Sequence, residues 1–596
     1  MEEKDKQFGL GAFVFFSIAA SFLYLLAVTW LKWGHLIVDT SREFWVPLQL
    51  LEGKILYKDV FYEYGFFPPY FLALLYKLFG VRIESLVGCG IGITMLMSLL
   101  LYKISRFFLD ELISGLVVLT FLFVFAFGYY FEEWSGIFNF ILPYSFASTF
   151  FMLFVTFAVY WFLKFLFSEK EIYLLLWSLC LSFAVFSRIE LSVMILIGFG
   201  LIGGLFLLQH RGTRRWRWGI YLLSPVVISC LGYVIFLWTM QASGGFQKAI
   251  ISLIVTLKQD PFNLRTMGIN TLSLNSLLMV KSLLLHILII FFIWIGSFSM
   301  TSFFSRKENT PFFLVLGGCA LLLAFQISQS RMNLDLQYRS LPLILVIGIV
   351  LSVTNIVRAV DVKRHFALLT VYAISLAAMV RIVFNATCFG YGFFMLDLGL
   401  IGYYLFFFEI ITRPFKRYLK EFSWGFLAFM LLCYFLFLIS AYWQTSVVLY
   451  AQKSVKLETE RGTLYSWNTA RTKRFWEAIV YLKENTAPED TVVVLPEGVG
   501  LNFFAQRENP TGYPNFSPPI FRLLGEQNMI SRFRQVAVDY IVIVHRLSFE
   551  YSLPAFGIHY GKEIYAWIID NYRLVKLIGP YPFTSDEFGI AIFKKK

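Results

Sequence analysis

The sequence predicts a polytopic α-helical membrane protein that ends in a soluble α/β domain. Three observations support this fold class. Hydrophobic residues make up 58% of the 596 residues and charged residues only 15%, with a mean hydropathy of +0.69, a balance that soluble globular proteins do not show. Apolar runs long enough to cross a bilayer recur along most of the chain. From about Ser446 onward the sequence becomes polar and carries alternating helix and strand patterns.

The apolar runs predict about thirteen transmembrane helices. The first covers residues 10–31, and the absence of a small-residue cleavage signal favours an uncleaved span over a signal peptide. A shorter apolar piece at 70–79 follows the pair Pro68 and Pro69 and predicts a helix that lies in the membrane interface. The remaining spans are predicted at 85–103, 109–130, 145–167, 171–187, 190–209, 218–240, 274–303, 311–329, 340–357, 365–384, 392–411 and 423–444.

The distribution of basic residues predicts the orientation of these spans. Most basic clusters fall in loops on the side of the N-terminus, which is therefore expected to be cytoplasmic. No nucleic-acid-binding motif accompanies the net charge of +13, so we attribute the charge to membrane topology. An odd number of spans then places the C-terminal region outside. The basic residues are Lys103, Arg106, Arg211, Arg214, Arg215, Arg217, Arg306, Lys307, Arg358, Lys363, Arg364, Arg413, Lys416, Arg417 and Lys420.

The predicted domains are a transmembrane part at 1–445, with its first external loop at 32–84, and a soluble part at 446–596. In the soluble part, 475–484 and 561–571 have helical patterns, while 491–495 and 539–544 have the pattern of buried strands. This alternation is typical of a small α/β domain. It lacks a GxGxxG sequence, so no nucleotide site is predicted there. The six cysteines form no CxxC pair, which argues against a zinc site or a disulfide framework.

A polar insert at 39–70 separates the first apolar run from the others. Ionised groups inside hydrocarbon cost roughly 3 kcal/mol each, so this insert is expected at the water boundary. Its charges are interleaved with aromatic residues and prolines, which a simple solvated loop does not need. We interpret it as the mouth of a membrane-embedded active site. Its ionisable and aromatic candidates are Asp39, Arg42, Glu43, Asp59, Tyr62, Glu63 and Tyr64.

Other loops on the same predicted face add acids and arginines. Carboxylates can serve as a general base or hold a metal, and arginines pair with phosphate through charge-assisted hydrogen bonds. The combination at a membrane boundary suits a lipid phosphate substrate. The candidates in these loops are Glu132, Glu133, Asn139, Tyr144, Arg188, Glu190, Lys258, Asp260, Arg265, Arg331, Asp335, Tyr338 and Arg339.

Structural roles are open alternatives for several of these residues. Glu132 and Glu133 could be solvated interface charges, and Arg188 with Glu190 could form a structural ion pair. Arg331 and Arg339 could anchor the loop ends at the lipid headgroups, and Asp59 could fix a turn. Among the acids, Asp39 is the strongest candidate for a functional role.

The first loop carries three short motifs whose order resembles a known family. The layout, with many spans and an exported α/β domain, resembles the GT-C superfamily of membrane glycosyltransferases, in the branch of bacterial protein mannosyltransferases and lipid A aminoarabinose transferases. A mid-chain turn, Ser187-Arg188-Ile189-Glu190, is similar to the basic-x-acidic turn of bacterial members. The loop motifs are Asp39 with Glu43, Gly53-x-x-x-Tyr57-x-Asp59, and Tyr64-Gly65-x-x-Pro68-Pro69.

The resemblance implies an inverting hexosyl or pentosyl transfer from a polyprenyl-phosphate sugar, such as an undecaprenyl-phosphate sugar. The acceptor would be a lipid, a glycan or a protein at the outer face of the bacterial inner (cytoplasmic) membrane. Asp39 would be the catalytic base. Family members carry adjacent Asp-Glu at this position, whereas here Thr40 follows Asp39 and the next acid is Glu43.

In the mechanism that the resemblance implies, Arg188 and one of Arg331 or Arg339 stabilise the charge on the leaving lipid phosphate. No metal is required for the transfer, although a divalent cation could bind. The C-terminal domain would cover the site or help to select the acceptor. The substrate-binding candidates, taken from the loops on the predicted outer face, are Arg42, Glu43, Asp59, Glu63, Tyr64, Glu132, Glu133, Tyr144, Arg188, Glu190, Arg331, Tyr338 and Arg339.

A polytopic transporter or lipid flippase is the main alternative function. It would place ionisable residues mid-span along a path through the bilayer, and Lys281, His286 and Arg381 lie in or near apolar runs. A polysaccharide polymerase or ligase is a second alternative, although such enzymes usually lack an exported α/β domain. A structural membrane scaffold would not need the charges of the first loop.

Overall fold

A computed structural model describes residues 2–37, 39–133, 138–209, 212, 215–259, 261–305, 331–412 and 421–596. Within these residues, eight helices are long and apolar enough to cross a membrane, judged by length and composition, and four shorter apolar helices accompany them. This confirms a polytopic α-helical membrane protein. The predicted span at 311–329 and the candidate Asp260 lie outside the described residues.

The helices of the membrane part account for most of the first 452 residues. Two further segments, Phe121–Ala126 and Phe406–Ile411, are π-helix. The helices are α1 (Glu2–Thr29), α2 (Thr40–Leu51), α3 (Phe67–Phe79), α4 (Ile83–Ser105), α5 (Glu111–Thr120), α6 (Phe146–Ser168), α7 (Glu171–Ser187), α8 (Ile189–Gln209), α9 (Arg215–Thr239), α10 (Ser243–Gln259), α11 (Pro261–Met267), α12 (Leu272–Ser305), α13 (Arg331–Leu336), α14 (Leu341–Val357), α15 (Val362–Ala378), α16 (Gly392–Met395), α17 (Gly399–Leu405) and α18 (Glu421–Gln452).

The short helix α3 begins where the sequence predicts it. Pro68 and Pro69 lie in its first turn, where a missing amide hydrogen costs nothing, and Gly80 ends it with a φ of 90°. Its 13 residues span only about 20 Å, too short for the hydrocarbon core. It packs against α2, so the two helices form one folded layer of the first loop.

The first loop and the basic loops lie at opposite ends of α6. Its 23 residues are about 34 Å long. At its first residue, the Phe146 amide contacts Glu43 of the first loop. Beyond its last residue, Glu169 pairs with Lys363 at 2.7 Å, and Glu171 pairs with Arg217 at 3.5 Å. The described basic loops therefore lie at the end opposite the first loop, as the predicted topology requires.

The C-terminal region contains a four-stranded sheet of order β3-β4-β6-β5 and a separate β1-β2 hairpin. The pair β3-β4 is parallel and the other pairs are antiparallel. Both predicted strands and both predicted helices are present. The elements are β1 (Val455–Thr459), β2 (Gly462–Ser466), α19 (Ala470–Asn485), β3 (Val492–Leu495), α20 (Gly500–Ala505), α21 (Pro518–Leu524), α22 (Glu526–Gln535), β4 (Tyr540–Val544), α23 (Lys562–Asn571), β5 (Tyr572–Ile578) and β6 (Ile590–Lys595).

The sheet is a real core rather than a surface ribbon. Every residue of β3 and β4 is buried, as their continuous apolar runs predict. The first loop packs on this domain: the Phe61 amide donates to the Gly512 carbonyl at 2.9 Å, and Lys54 pairs with Glu508 at 2.8 Å. The first loop and the sheet are therefore on the same side of the helical bundle.

Candidate active site

Asp39 lies where the first loop enters α2. Its backbone has φ 54° and ψ −66°, a region that residues other than glycine rarely occupy. The carboxylate lies 3.7 Å from the Arg42 guanidinium, and the side chain is 27% exposed. Burial raises the pKa of Asp39, while the positive charges of Arg42 and Arg546 oppose that rise. Asp39 is thus an accessible carboxylate with arginines around it.

Arg42 and Glu43 connect α2 to the start of α6. Arg42 donates to the Tyr144 carbonyl at 2.8 Å and to the Glu43 carboxylate at 3.2 Å. Glu43 is almost fully buried and accepts a hydrogen bond from the Phe146 amide at 2.9 Å. A carboxylate on the first amide of a helix satisfies a group that has no partner within the helix. Glu43 therefore holds two helices together, and in this arrangement it is not free to act as a base.

We expect Glu43→Ala to lower the free energy of unfolding by about 2–3 kcal/mol, because it removes one of the two carboxylates beside Arg42 and leaves the buried Phe146 amide without its acceptor. Glu43→Gln keeps an oxygen for the Phe146 amide and should be less harmful. Denaturant or thermal unfolding of the purified variants measures both effects. If Glu43→Gln had native stability but no activity, Glu43 would instead be a reacting group.

Arg188 is fully buried in the turn between α7 and α8. Its guanidinium lies 2.7 Å from Glu190 and donates to the Tyr144 hydroxyl at 2.8 Å and to the Ser148 hydroxyl at 2.6 Å. The Ser148 hydroxyl also donates to the Tyr144 hydroxyl, at 2.9 Å. The Tyr144 oxygen therefore accepts two hydrogen bonds, which leaves its own hydrogen to be donated elsewhere.

Aromatic rings join the arginines into one network. The Tyr64 ring has the Arg188 guanidinium at 4.5 Å and the Arg42 guanidinium at 5.4 Å. The Tyr144 ring lies 5.2 Å from the Tyr391 ring, which in turn has the Arg381 guanidinium at 4.6 Å. The structure thus brings together Asp39, Arg42, Tyr64, Tyr144 and Arg188, five of the residues that the sequence places in the site.

Arg381 and Tyr391 are site neighbours that sequence reasoning did not assign. Burial raises the pKa of Tyr391, and the charges of Arg381, Asp39 and Arg188 all act on its hydroxyl. The sequence presents Arg381 only as a mid-span residue that a transporter could use. It follows α15, in a short 3₁₀ turn at Val380–Ile382. An arginine at the outer end of an apolar run was the signal that could have located it.

Glu63 interacts electrostatically with Arg42. It accepts a hydrogen bond from Ser252 at 3.4 Å, and burial raises its pKa, with Arg42 acting in the opposite direction.

Just beyond Tyr64, the chain lines a groove of about 370 Å³ that is almost wholly apolar. The groove is lined by Phe66, Phe67, Tyr70, Phe71, Leu74, Phe236 and Met240.

Gly65 is where the first loop touches the turn that carries Arg188. Its amide donates to the Ser187 carbonyl at 3.0 Å, and a Cβ on it would lie 2.0 Å from the Phe186 carbonyl oxygen. We expect Gly65→Ala to push Tyr64 away from Arg188 and to reduce activity at least tenfold, since small misplacements in a site are costly. Gly53→Ala is not a suitable control because of its φ of 91°, whereas Gly88→Ala meets nothing within 4 Å. Comparing the activities of Gly65→Ala and Gly88→Ala measures this effect.

Several predicted site residues have other partners. Asp59 accepts a hydrogen bond from the Ile55 amide at 2.9 Å and so fixes a turn, and Glu132 is exposed. Glu133 accepts from Thr469 at 2.6 Å and from Thr472 at 3.2 Å, at the start of α19. Glu133 thus attaches the C-terminal domain to the membrane part.

In the loop before α14, Arg339 and Tyr338 also have partners within the protein. Arg339 is held by Asp335, at 2.6 Å, and by Asn385, at 2.8 Å. Tyr338 is buried, with its ring 5.3 Å from Phe125 and 5.4 Å from Tyr403. Arg331 begins α13, and its side chain is outside the described part of the chain.

The acids near Asp39 do not form a cation site in the part of the chain that the structure describes. No group of three or more histidine, cysteine, aspartate or glutamate side chains comes together there. Glu43 is paired with Arg42, Glu190 with Arg188 and Glu497 with Arg546. A divalent cation would have to compete with these arginines for the carboxylates.

One of the residues considered for a transport path has an ordinary structural role. His286 is buried in α12, with its ring nitrogens 2.8 Å from the Ser282 carbonyl and 2.8 Å from the Tyr403 hydroxyl. It is a fully hydrogen-bonded core histidine. Lys281 is exposed on the same helix, and Arg381 lies beside Tyr391.

The chain is similar to solved structures of membrane enzymes. No protein-family model and no curated protein matches it. The oligosaccharyltransferase of Archaeoglobus fulgidus, in complex with zinc and sulfate, is 12% identical with a TM-score of 0.48, over 88% of this chain and 67% of that one. ArnT from Cupriavidus metallidurans is 11% identical with a TM-score of 0.45 when bound to undecaprenyl phosphate, and 10% identical with a TM-score of 0.41 in the apo state. Both ArnT comparisons cover 98% of each chain. Solved structures of GT-C enzymes, the superfamily that the sequence resembles, are therefore among those similar to this chain.

Proposed function

We propose that the chain is an inverting glycosyltransferase that moves a hexosyl or pentosyl group from a polyprenyl-phosphate sugar to an acceptor at the extracytoplasmic face of the membrane. The observation that carries this proposal is the pairing of one accessible carboxylate, Asp39, with the arginine and tyrosine network next to it. A single displacement requires a base near the acceptor hydroxyl and positive charge near the leaving phosphate, and Asp39 and this network supply the two kinds of group. We further propose that the C-terminal domain, 446–596, is extracytoplasmic.

The leaving phosphate would be stabilised by fixed positive charge. Arg42 has a small exposed fraction, 12% of its side chain, and faces Tyr64 and Asp39. Arg188 is buried and would act through Tyr144, whose hydroxyl it polarises and whose hydrogen is available to a ligand. Arg381, beside Tyr391, would add charge from the opposite side. Since these groups are already fixed by the protein, they need little reorganisation during the reaction.

The reaction would be a single displacement at the anomeric carbon. The acceptor hydroxyl oxygen forms a bond to that carbon as the bond from the carbon to the phosphate oxygen breaks. The electron pair of the broken bond remains on the phosphate, and the acceptor proton passes to the Asp39 carboxylate. One attack from the opposite face inverts the configuration. The raised pKa of Asp39 makes it a better proton acceptor than an ordinary solvent-exposed aspartate.

The apolar groove beyond Tyr64 would hold the first isoprene units of the donor. Its lining is made almost entirely of aromatic and aliphatic side chains, which suit hydrocarbon and not a sugar. Gly65 connects the groove to the turn that carries Arg188. A lipid with its tail in the groove would thus present its phosphate towards the arginine network.

Incubating the purified protein with a panel of radiolabelled polyprenyl-phosphate sugars and total envelope acceptors tests the proposal. We expect incorporation of label with release of polyprenyl phosphate from at least one donor. The same protein in liposomes provides the competing measurement. Movement of lipid or solute across the bilayer, with no label transferred from any donor, would contradict the proposal and favour a transporter.

A further inference from the structure

The two parallel strands of the C-terminal sheet end close to Asp39. Glu497 follows β3 by two residues, and Arg546 follows β4 by two residues. Side chains at the carboxyl ends of neighbouring parallel strands meet at one edge of a sheet, where α/β domains commonly bind ligands. Here this edge faces the first loop, so the sheet contributes charged groups to the surroundings of Asp39.

Hydrogen bonds and ion pairs connect the two parts. The Asp39 amide donates to the Glu497 carboxylate at 3.4 Å. The other oxygen of Glu497 accepts from Arg546 at 3.2 Å, and Arg546 also donates to Glu550 at 2.5 Å. The side chains of Glu497 and Arg546 are only 18% and 14% exposed, so solvent screens their charges weakly.

The strained backbone of Asp39 indicates what its hydrogen bond to Glu497 does. A non-glycine residue in its conformation costs about 1–3 kcal/mol and persists only where its surroundings impose it. The hydrogen bond from its amide to Glu497 is one such constraint. Other contacts, such as Lys54 with Glu508 and Phe61 with Gly512, already attach the first loop to the domain. Glu497 is therefore not needed merely for attachment.

Charge connects these groups as well. The positive charge of Arg546 lowers the pKa of Asp39 against the effect of burial, and Glu550 raises it. Burial raises the pKa of Glu497 to about 7, with Arg546 lowering it and Asp39 raising it. Asp39 and Glu497 thus influence each other's protonation, and a change in either should be felt by the other.

We propose that Glu497 and Arg546 are positioning residues for Asp39: Glu497 holds the Asp39 amide and so the direction of its carboxylate, and Arg546 holds Glu497 and supplies positive charge to both acids. The second acid next to the base then comes from the C-terminal domain and not from the first loop, where Thr40 follows Asp39. This inference rests on the proposed glycosyl transfer, since positioning matters only if Asp39 reacts.

The pH profile of transfer tests the proposal, because the two residues should affect it differently. Glu497→Gln keeps an oxygen for the Asp39 amide, and the carboxyl that it replaces has a pKa of about 7 and is largely protonated where Asp39 titrates. The acidic limb of the kcat profile should therefore stay in place in this variant. Arg546→Gln removes a positive charge that is present at every pH of the profile, so the acidic limb should move up by about half a pH unit or more.

A matched control is the exposed pair of Arg474 and Glu587, at 3.1 Å, in the same domain. Glu587→Gln should leave the acidic limb unchanged. Glu497→Ala, which lacks the oxygen, should lower kcat at least tenfold more than Glu497→Gln does. An acidic limb that stays in place in Arg546→Gln, or a kcat that Glu497→Ala and Glu497→Gln lower equally, would overturn the proposal.

Thermal unfolding of the full chain gives a readout that does not depend on transfer. Glu497 is easier to protonate in the folded state, so its contribution to stability falls as pH rises from about 4.5 to about 7. Glu497→Gln should flatten this dependence. The effects of Asp39→Gly and Glu497→Ala on the melting temperature should be non-additive, because glycine adopts the backbone conformation of residue 39 without the constraint that the Glu497 oxygen provides. If no transfer is detected, this cycle alone decides: non-additivity supports the positioning of Asp39 while the proposed function fails, and additivity overturns the positioning itself.

Discussion

Arg188→Ala is expected to have the largest effect on both activity and stability. Loss of the guanidinium removes the charge that polarises the Tyr144 hydroxyl, and we expect the rate of sugar transfer to fall by roughly 10²–10³-fold. It also leaves the Glu190 carboxylate without its partner in a largely buried position. Breaking a buried pair in this way costs about 3–5 kcal/mol of unfolding free energy. Transfer assays and denaturant unfolding of the purified variant measure the two effects.

A second variant separates the two effects of Arg188. In Arg188→Ala with Glu190→Gln, the remaining side chain is neutral, so most of the lost stability should return. The transfer rate should stay low, because the positive charge is still missing. Recovery of transfer together with stability would mean that Arg188 is only structural, which is the alternative that the sequence left open for this turn.

Asp39→Asn is expected to lower the rate of transfer by roughly 10²–10⁴-fold, the usual contribution of a general base. Asparagine has the same size and shape as aspartate, so it should fit the backbone at the start of α2 as well as aspartate does. The binding of the donor should therefore change much less than the rate. Single-turnover kinetics with a saturating donor measure the rate separately from binding.

The matched control for Asp39 is Asp59→Asn in the same loop. Asp59 accepts a hydrogen bond from the Ile55 amide, and an asparagine oxygen can accept it too. We expect this variant to retain transfer within a few-fold. Equal losses in the two variants would indicate a general effect of charge in the loop, and undiminished transfer in Asp39→Asn would move the base to another residue.

The helices and the two strands could be predicted because their signals are local. Apolar runs such as the one at 145–167 and the paired prolines before α3 are enough to place an element within a few residues. The length of an apolar run does not by itself determine where a span ends. The segment at 365–384 reads as one span, but in the structure α15 ends at Ala378 and a 3₁₀ turn follows.

The roles of the charged residues could not be predicted because their partners are distant in the sequence. Glu43 and Asp39 both looked like free acids of one loop. Glu43 is instead committed to the Phe146 amide, 103 residues away, and Asp39 meets Glu497, 458 residues away. No periodicity or spacing encodes such a contact. Only the tertiary fold distinguishes Glu43, which caps a helix, from Asp39, whose side chain is 27% exposed.

The same limit applies to Glu133 and Arg381. Glu133 lies in a loop that the sequence places on the same face as the first loop, but one of its carboxylate oxygens accepts hydrogen bonds from Thr469 and Thr472 of the C-terminal domain. The sequence presents Arg381 as a mid-span charge, whereas the end of α15 brings it to Tyr391 beside the site. Face and residue type could be predicted, whereas the neighbours of each side chain could not.

The most direct test of the proposed chemistry is the configuration of the product. The purified protein would be given one polyprenyl-phosphate sugar of known anomeric configuration, and the product would be examined by NMR while released polyprenyl phosphate is quantified. A single displacement with Asp39 as base predicts inverted configuration and one released polyprenyl phosphate per sugar transferred. Retained configuration, or donor that crosses a liposome membrane without cleavage of its sugar–phosphate bond, would contradict the account.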